Sequence, residues 1–193
     1  MTRWGPPATG LVLLLVLVTA CSGPDVRSSP FPSRPGDLPV GRLSACDALS
    51  AEQRSELGVG PGQRDAPEAT SDSCTWRSDI SQFWGVRLQP QNPIAQFDPQ
   101  DPLFVGASEG YQDPRITTVD GYGAVEFRYS LTGVDPSCNL AIDAGATATV
   151  VVDYTDNVAR DPRRPTTSIE QRCAIVARAA SMVITTMRAR ASG

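Results

Sequence analysis

Residues 8–20, ATGLVLLLVLVTA, are thirteen uncharged residues that end on Cys21 and give way at once to Ser, Gly and Pro. A helix that crosses a bilayer needs ~20 apolar residues, so this run is too short to span one. With Arg3 ahead of it, the stretch has the shape of an export signal. No other feature constrains the chain as strongly. The signal removes residues 1–20 from the fold, and it places the rest of the chain in an oxidising space where cysteines pair.

The end of the run is more specific. Val18-Thr19-Ala20-Cys21 resembles a bacterial lipobox, a branched residue and two small ones before a cysteine. The resemblance implies a diacylglycerol on the Cys21 sulfur, cleavage between Ala20 and Cys21, and often a further acyl chain on the new amine. Two or three acyl chains hold a protein stably. The expected location is therefore the cell membrane, lipid-anchored on its extracytoplasmic face, with the membrane as partner through that lipid alone. Loss of residues 1–20 removes one arginine and takes the net charge from −4 to −5. Such a charge offers no attraction to nucleic acid or to an anionic bilayer.

Residues 21–43 hold five prolines, three glycines and four serines with no apolar period. They read as an extended tether with a reach of up to ~65 Å. Residues 44–193 are expected to form a single disulfide-stapled domain. SACDALSAEQRSELGVG reads as an opening helix, with Ser50 and Gln53 as a capping box and Gly58 as its stop. Asp47 is expected to relieve free amides at its start. SCTWRS and FWGVRLQ read as strands; in the second, Trp84, Val86 and Leu88 share one face, and Phe83, Arg87 and Gln89 the other. RITTV, AVEFRYS, CNLAID and ATVVVDY read as four more, spaced too closely for parallel crossovers. From Ile169 the apolar positions Cys173, Val176, Ala180, Val183, Ile184 and Met187 recur at helical spacing, with Ser168 and Gln171 as a second capping box. The expected fold is α+β: an antiparallel sheet of about five to six strands packed against a C-terminal helix, with a short N-terminal helix.

The four remaining cysteines, Cys46, Cys74, Cys138 and Cys173, allow three disulfide connectivities. The element placement favours Cys46–Cys74, joining the opening helix to the first strand, and Cys138–Cys173, joining a strand to the last helix. No C-x-x-C pair exists, so zinc and redox-active readings are weak.

Histidine is absent and every basic side chain is arginine. That excludes a Ser-His-Asp triad, a histidine-ligated metal, a Schiff-base lysine and a P-loop lysine. No catalytic residue, metal or cofactor is expected. The best candidate binding surface is the proline-rich stretch 90–114, with Phe97, Phe104 and Tyr111 as its aromatic contacts. DPQDP lacks the spacing of a calcium loop. Arg160, Arg163 and Arg164 beside Asp161 read as solvated loop charge with an anion site as the alternative, Asp120 and Glu126 as ordinary strand-turn acids with a carboxylate pair for glycoside chemistry as the alternative, and Trp76 and Trp84 as core.

The order ACDALSAEQRSELGVG, SCTW, VDGYGAVEF, SCNLAIDAGATATVVV, QRCAIVARAASMVITTM behind a lipobox and a Pro/Ser-rich stretch resembles the small actinobacterial lipoproteins grouped as domain of unknown function 3558. Cys46, Asp47, Leu49, Cys74, Trp76, Cys138 and Cys173 carry the likeness. Where such relatives often have G-x-P-A-V, this chain has Gly121-Tyr122-Gly123-Ala124-Val125. The resemblance implies no activity. The expectation is a lipid-anchored envelope lipoprotein with a non-enzymatic binding or accessory role, its partner an envelope protein, glycan or lipid. The alternatives are a carrier of a small apolar ligand or lipid, with its cavity between sheet and helix, and a carboxylate-based cell-wall hydrolase.

Overall fold

The computed structural model describes residue 1 and residues 29–66, 68–100, 110–130, 136–156 and 167–191. The expectations at Ala20, Cys21, Phe104, Arg160, Asp161, Arg163 and Arg164 lie outside these. No helix among the described residues is long and apolar enough to cross a membrane.

The opening helix is split in two. A 3-10 turn covers Ala45–Asp47, and helix α1 covers Ala51–Leu57. The break falls at Ser50 because Ser50 and Gln53 make a complete capping box: Ser50 N donates to Gln53 Oε1 (2.8 Å) and Gln53 N to Ser50 Oγ (3.2 Å). Gly58 ends α1 at φ 66°. Asp47 does not cap. The leading amide, Ala45 N, donates instead to Asp72 Oδ2 (2.8 Å) from the neighbouring strand.

Seven strands complete the sheet: β1 Gln63–Arg64, β2 Asp72–Arg77, β3 Gln82–Gln89, β4 Tyr111–Val119, β5 Tyr122–Tyr129, β6 Ser137–Gly145 and β7 Ala148–Asp156. They are antiparallel, in the order β1-β2-β3-β7-β6-β5-β4. Two meanders, β1 to β3 and β4 to β7, thus join edge to edge where β3 pairs with β7. The strand beyond the expected six is β1, whose two residues are too few to show a period. β4 also starts four residues earlier than expected, because the register shifts between Gln112 and Arg115 around Asp113, which sits at φ 49°.

Helix α2, Ile169–Ala191, covers one face of this sheet. Its stripe of Cys173, Val176, Ala180, Val183, Ile184 and Met187 is buried against Trp76, Trp84, Val86, Leu140, Ile142, Val152 and Tyr154. A fully buried Val, Ile or Met side chain contributes ~1.5–3 kcal/mol, so this stripe dominates the docking of α2. Ser168 and Gln171 cap the helix reciprocally at 3.0 and 3.3 Å. Gln53 then ties α1 to α2, donating to Met182 O (2.9 Å) and accepting from Thr186 Oγ1 (2.8 Å). The two disulfides are Cys46–Cys74 and Cys138–Cys173. The first holds the 3-10 turn, not α1, on β2.

The opposite face carries a smaller cluster of Phe31, Ile94, Val125, Phe127, Ala141 and Val151. Two segments cover part of it: a 3-10 turn at Ile94–Phe97, and the start of residues 29–43, a stretch whose Leu38 and Val40 run on into the cluster under α2. The latter stretch falls within the expected tether, yet it is packed on the domain. Phe31, Leu38 and Val40 are buried, Leu38 N donates to Ala144 O (2.8 Å), and Arg34 Nη1 reaches both oxygens of Asp143 (2.8 and 2.9 Å). Gly123 makes room for it, since a Cβ there would lie 2.9 Å from Phe31 Cβ.

Candidate functional site

On the face away from α2, strand alternation puts Gly85, Arg87 and Gln89 of β3, Val151 and Asp153 of β7, Asn139 and Ala141 of β6, and Phe127 and Tyr129 of β5 on one surface. Gly85, Asp153, Asn139 and Phe127 are register partners in a row across four adjacent strands. The row faces a cavity of about 160 Å³. Its aromatic side is Phe97, Tyr111, Phe127 and Tyr129, and its polar side Arg87, Gln89, Asn139 and Asp153.

The aromatic wall is a contiguous set of rings. Tyr111 stacks on Phe127 at 4.8 Å between centroids, Phe97 on Phe127 at 5.9 Å, and Tyr111 meets Tyr129 edge-on at 5.2 Å. The proline-rich stretch thus brings Phe97 and Tyr111 to one place. Burial raises the Tyr111 hydroxyl pKa, with Arg87 opposing and Tyr129 adding to the shift.

Asp153, half-buried at the cavity wall, is the group hardest to explain as packing. A Cβ on Gly85 would lie 2.2 Å from Asp153 Oδ1, so the carboxyl occupies the space that a side chain at 85 would fill. Desolvation raises its pKa to about 6, with Arg87 opposing and Asp65 reinforcing the shift. No hydrogen bond or ion pair to Asp153 exists among the described residues. Gln89 Oε1 is buried without a hydrogen-bond partner. Asn139 Nδ2 donates to Ser137 Oγ (2.9 Å). A buried polar group without a partner costs ~1–3 kcal/mol; Gln89 Oε1 is such a group, and the half-buried Asp153 carboxyl faces the same cavity.

The other sequence candidates separate. Glu126 lies on the opposite face, paired with Arg115 at 2.6 Å. Asp120 sits in the β4–β5 turn at φ 49°. At ~3.3 Å per residue along β5 the two carboxylates are on the order of 15 Å apart, too far for the ~5–9.5 Å of glycoside hydrolysis. Glu126 also lies within 4.8 Å of the sulfurs of Cys138 and Cys173. Both sulfurs are consumed in a disulfide, so this is no metal site. Trp76 and Trp84 are core, 0% and 4% exposed.

Arg87 and Gln89 were legible as face-mates on their strand, but Asp153, Asn139 and Gly85 were not singled out. The available signal was an acid placed directly after Val150-Val151-Val152 and before Tyr154, in the apolar part of a strand fit for the middle of a sheet.

A family model described as protein of unknown function (DUF3558) matches residues 16–186. No curated protein and no solved structure matches the chain.

Proposed function

The chain belongs to the DUF3558 family, and from that premise we propose that it is a lipid-anchored envelope protein whose folded domain binds a small polar ligand. In this reading Cys21 carries the lipid on the extracytoplasmic side of the cell membrane. The domain then serves as a non-enzymatic binding or accessory module. One observation carries the binding role: the Asp153 carboxyl and Gln89 Oε1 are acceptors without partners among the described residues, in the same aromatic-walled cavity.

Two other readings have less support. An apolar-ligand carrier needs space between sheet and helix, where Val176, Ala180, Val183 and Met187 are packed to 0% exposure. A carboxylate hydrolase needs two acids, and Asp153 is the one carboxylate among the described residues lining this cavity.

Two measurements test the proposal. Cys21→Ser should release the full chain from membranes and abolish lipid labelling; unchanged attachment contradicts the anchor. For the site, the full chain in detergent is screened by ligand-observed NMR against a mixed library of sugars, amino acids, nucleosides and organic acids. A ligand lost on Val151→Phe, which fills the cavity, is expected. A library with no binder sensitive to that substitution contradicts the binding role.

A further inference from the structure

We propose that the cavity takes a small free zwitterion, its primary ammonium against Asp153 and Gln89 and its oxyanion against Arg87. This rests on the binding role proposed above and names the ligand class for it.

Two acceptors at the cavity, the buried Gln89 Oε1 and the half-buried Asp153 carboxyl, have no hydrogen-bond partner among the described residues. Their complement is a group with several donors and no acceptor, and an ammonium offers three N–H and a positive charge. The surrounding surface favours the same group. Four rings, Phe97, Tyr111, Phe127 and Tyr129, line the cavity, and aromatic faces attract cations. A neutral polyol would satisfy the acceptors but gain nothing from the carboxylate's charge.

Arg87 sets the other end. It is exposed, lies two residues from Gly85 on the same strand face, and borders the same cavity. No carboxylate pairs with it among the described residues. A guanidinium at the rim disfavours a simple amine and offers a forked donor set to an oxyanion. The volume limits size. At 160 Å³ the cavity resembles the ~150 Å³ space that holds a benzene-sized molecule, so the ligand is a compact aminoalkyl carboxylate or phosphate rather than an oligomer.

The test uses the full chain in detergent at pH 7.5 and NMR titration with five probes: 4-aminobutyrate, O-phosphoethanolamine, butylamine, butyrate and glucose. At least one zwitterion is expected to bind tenfold or more tighter than butylamine, butyrate or glucose. Asp153→Asn should weaken it at least tenfold. Arg87→Gln should erase its advantage over butylamine without weakening butylamine itself. Butylamine binding as tightly as both zwitterions, or an advantage that survives Arg87→Gln, overturns the inference. So does binding by glucose alone, or by none of the five. In either of those last cases, a ligand from the mixed library that is sensitive to Val151→Phe would leave the binding role standing while the zwitterion falls.

Discussion

Gly85 and Asp153 face each other across β3 and β7, and the carboxyl of one occupies the space the other leaves by having no side chain. The pair is coupled by sterics alone. Gly85→Ala is therefore expected to destabilise the domain by about 1–3 kcal/mol through overpacking. In an Asp153→Ala background the same change should cost much less, because its obstacle is gone. Urea denaturation of the four proteins in the cycle checks this; equal costs in both backgrounds would refute the coupling.

Asp153 also makes stability depend on pH. Its folded pKa, about 6, lies above its unfolded value. Between pH ~4 and ~6 the unfolded chain has lost this proton while the folded chain retains it, so stability falls as pH rises through that window and then levels off. By linkage the cost at pH 7 is on the order of 2–3 kcal/mol. Asp153→Asn should be more stable than the parent by about that amount at pH 7 and equal to it below pH ~4. Parallel denaturation curves at pH 3.5 and 7.5 decide the point.

Much of the fold was legible because the face against α2 obeys strict periods. Trp84, Val86 and Leu88 alternate, and Cys173 to Met187 recur at threes and fours. The outer face was illegible for the opposite reason. It is covered by chain without a period, so Phe31 looked like tether until tertiary contacts gave it a surface, as did Leu38 and Val40, which run on into the core under α2. The candidate site was half legible. Phe97 and Tyr111 stood out as aromatics in an irregular segment, whereas Asp153 needed a partner strand to show that its neighbour is a glycine.

The packed segment shortens the free tether. Asp143 is 4% exposed and bonded through both oxygens to Arg34. Arg34→Ala leaves that carboxylate buried without its guanidinium and should cost about 2–3 kcal/mol, below the ~3–5 kcal/mol of a fully buried pair because Arg34 itself is partly exposed. Lysine at this position should not restore it, having no forked donor pair. Faster chymotryptic cleavage at Phe31 in both variants is the expected readout; parental rates would mean that the segment is held by its apolar contacts alone.

The disulfides close loops of 28 and 35 residues, each worth ~3–4 kcal/mol by chain entropy. Replacing Cys138 and Cys173 together by alanine should lower stability by about that amount. It should also loosen α2, which the second bridge fastens to β6, more than α1. Amide exchange along residues 51–57 and 169–191 distinguishes the two helices, and uniform loosening of both would contradict the assignment.

The binding role depends on Asp153 being an unpartnered acceptor in wait for a donor. Carbon-13 NMR titration of its carboxyl, without and with a saturating ligand, measures that state directly. The structure places the free value at about 6, and an ammonium docked against it should lower that value by about one unit or more. A free value near the ordinary ~3.9, or one that no ligand moves, would contradict the claim.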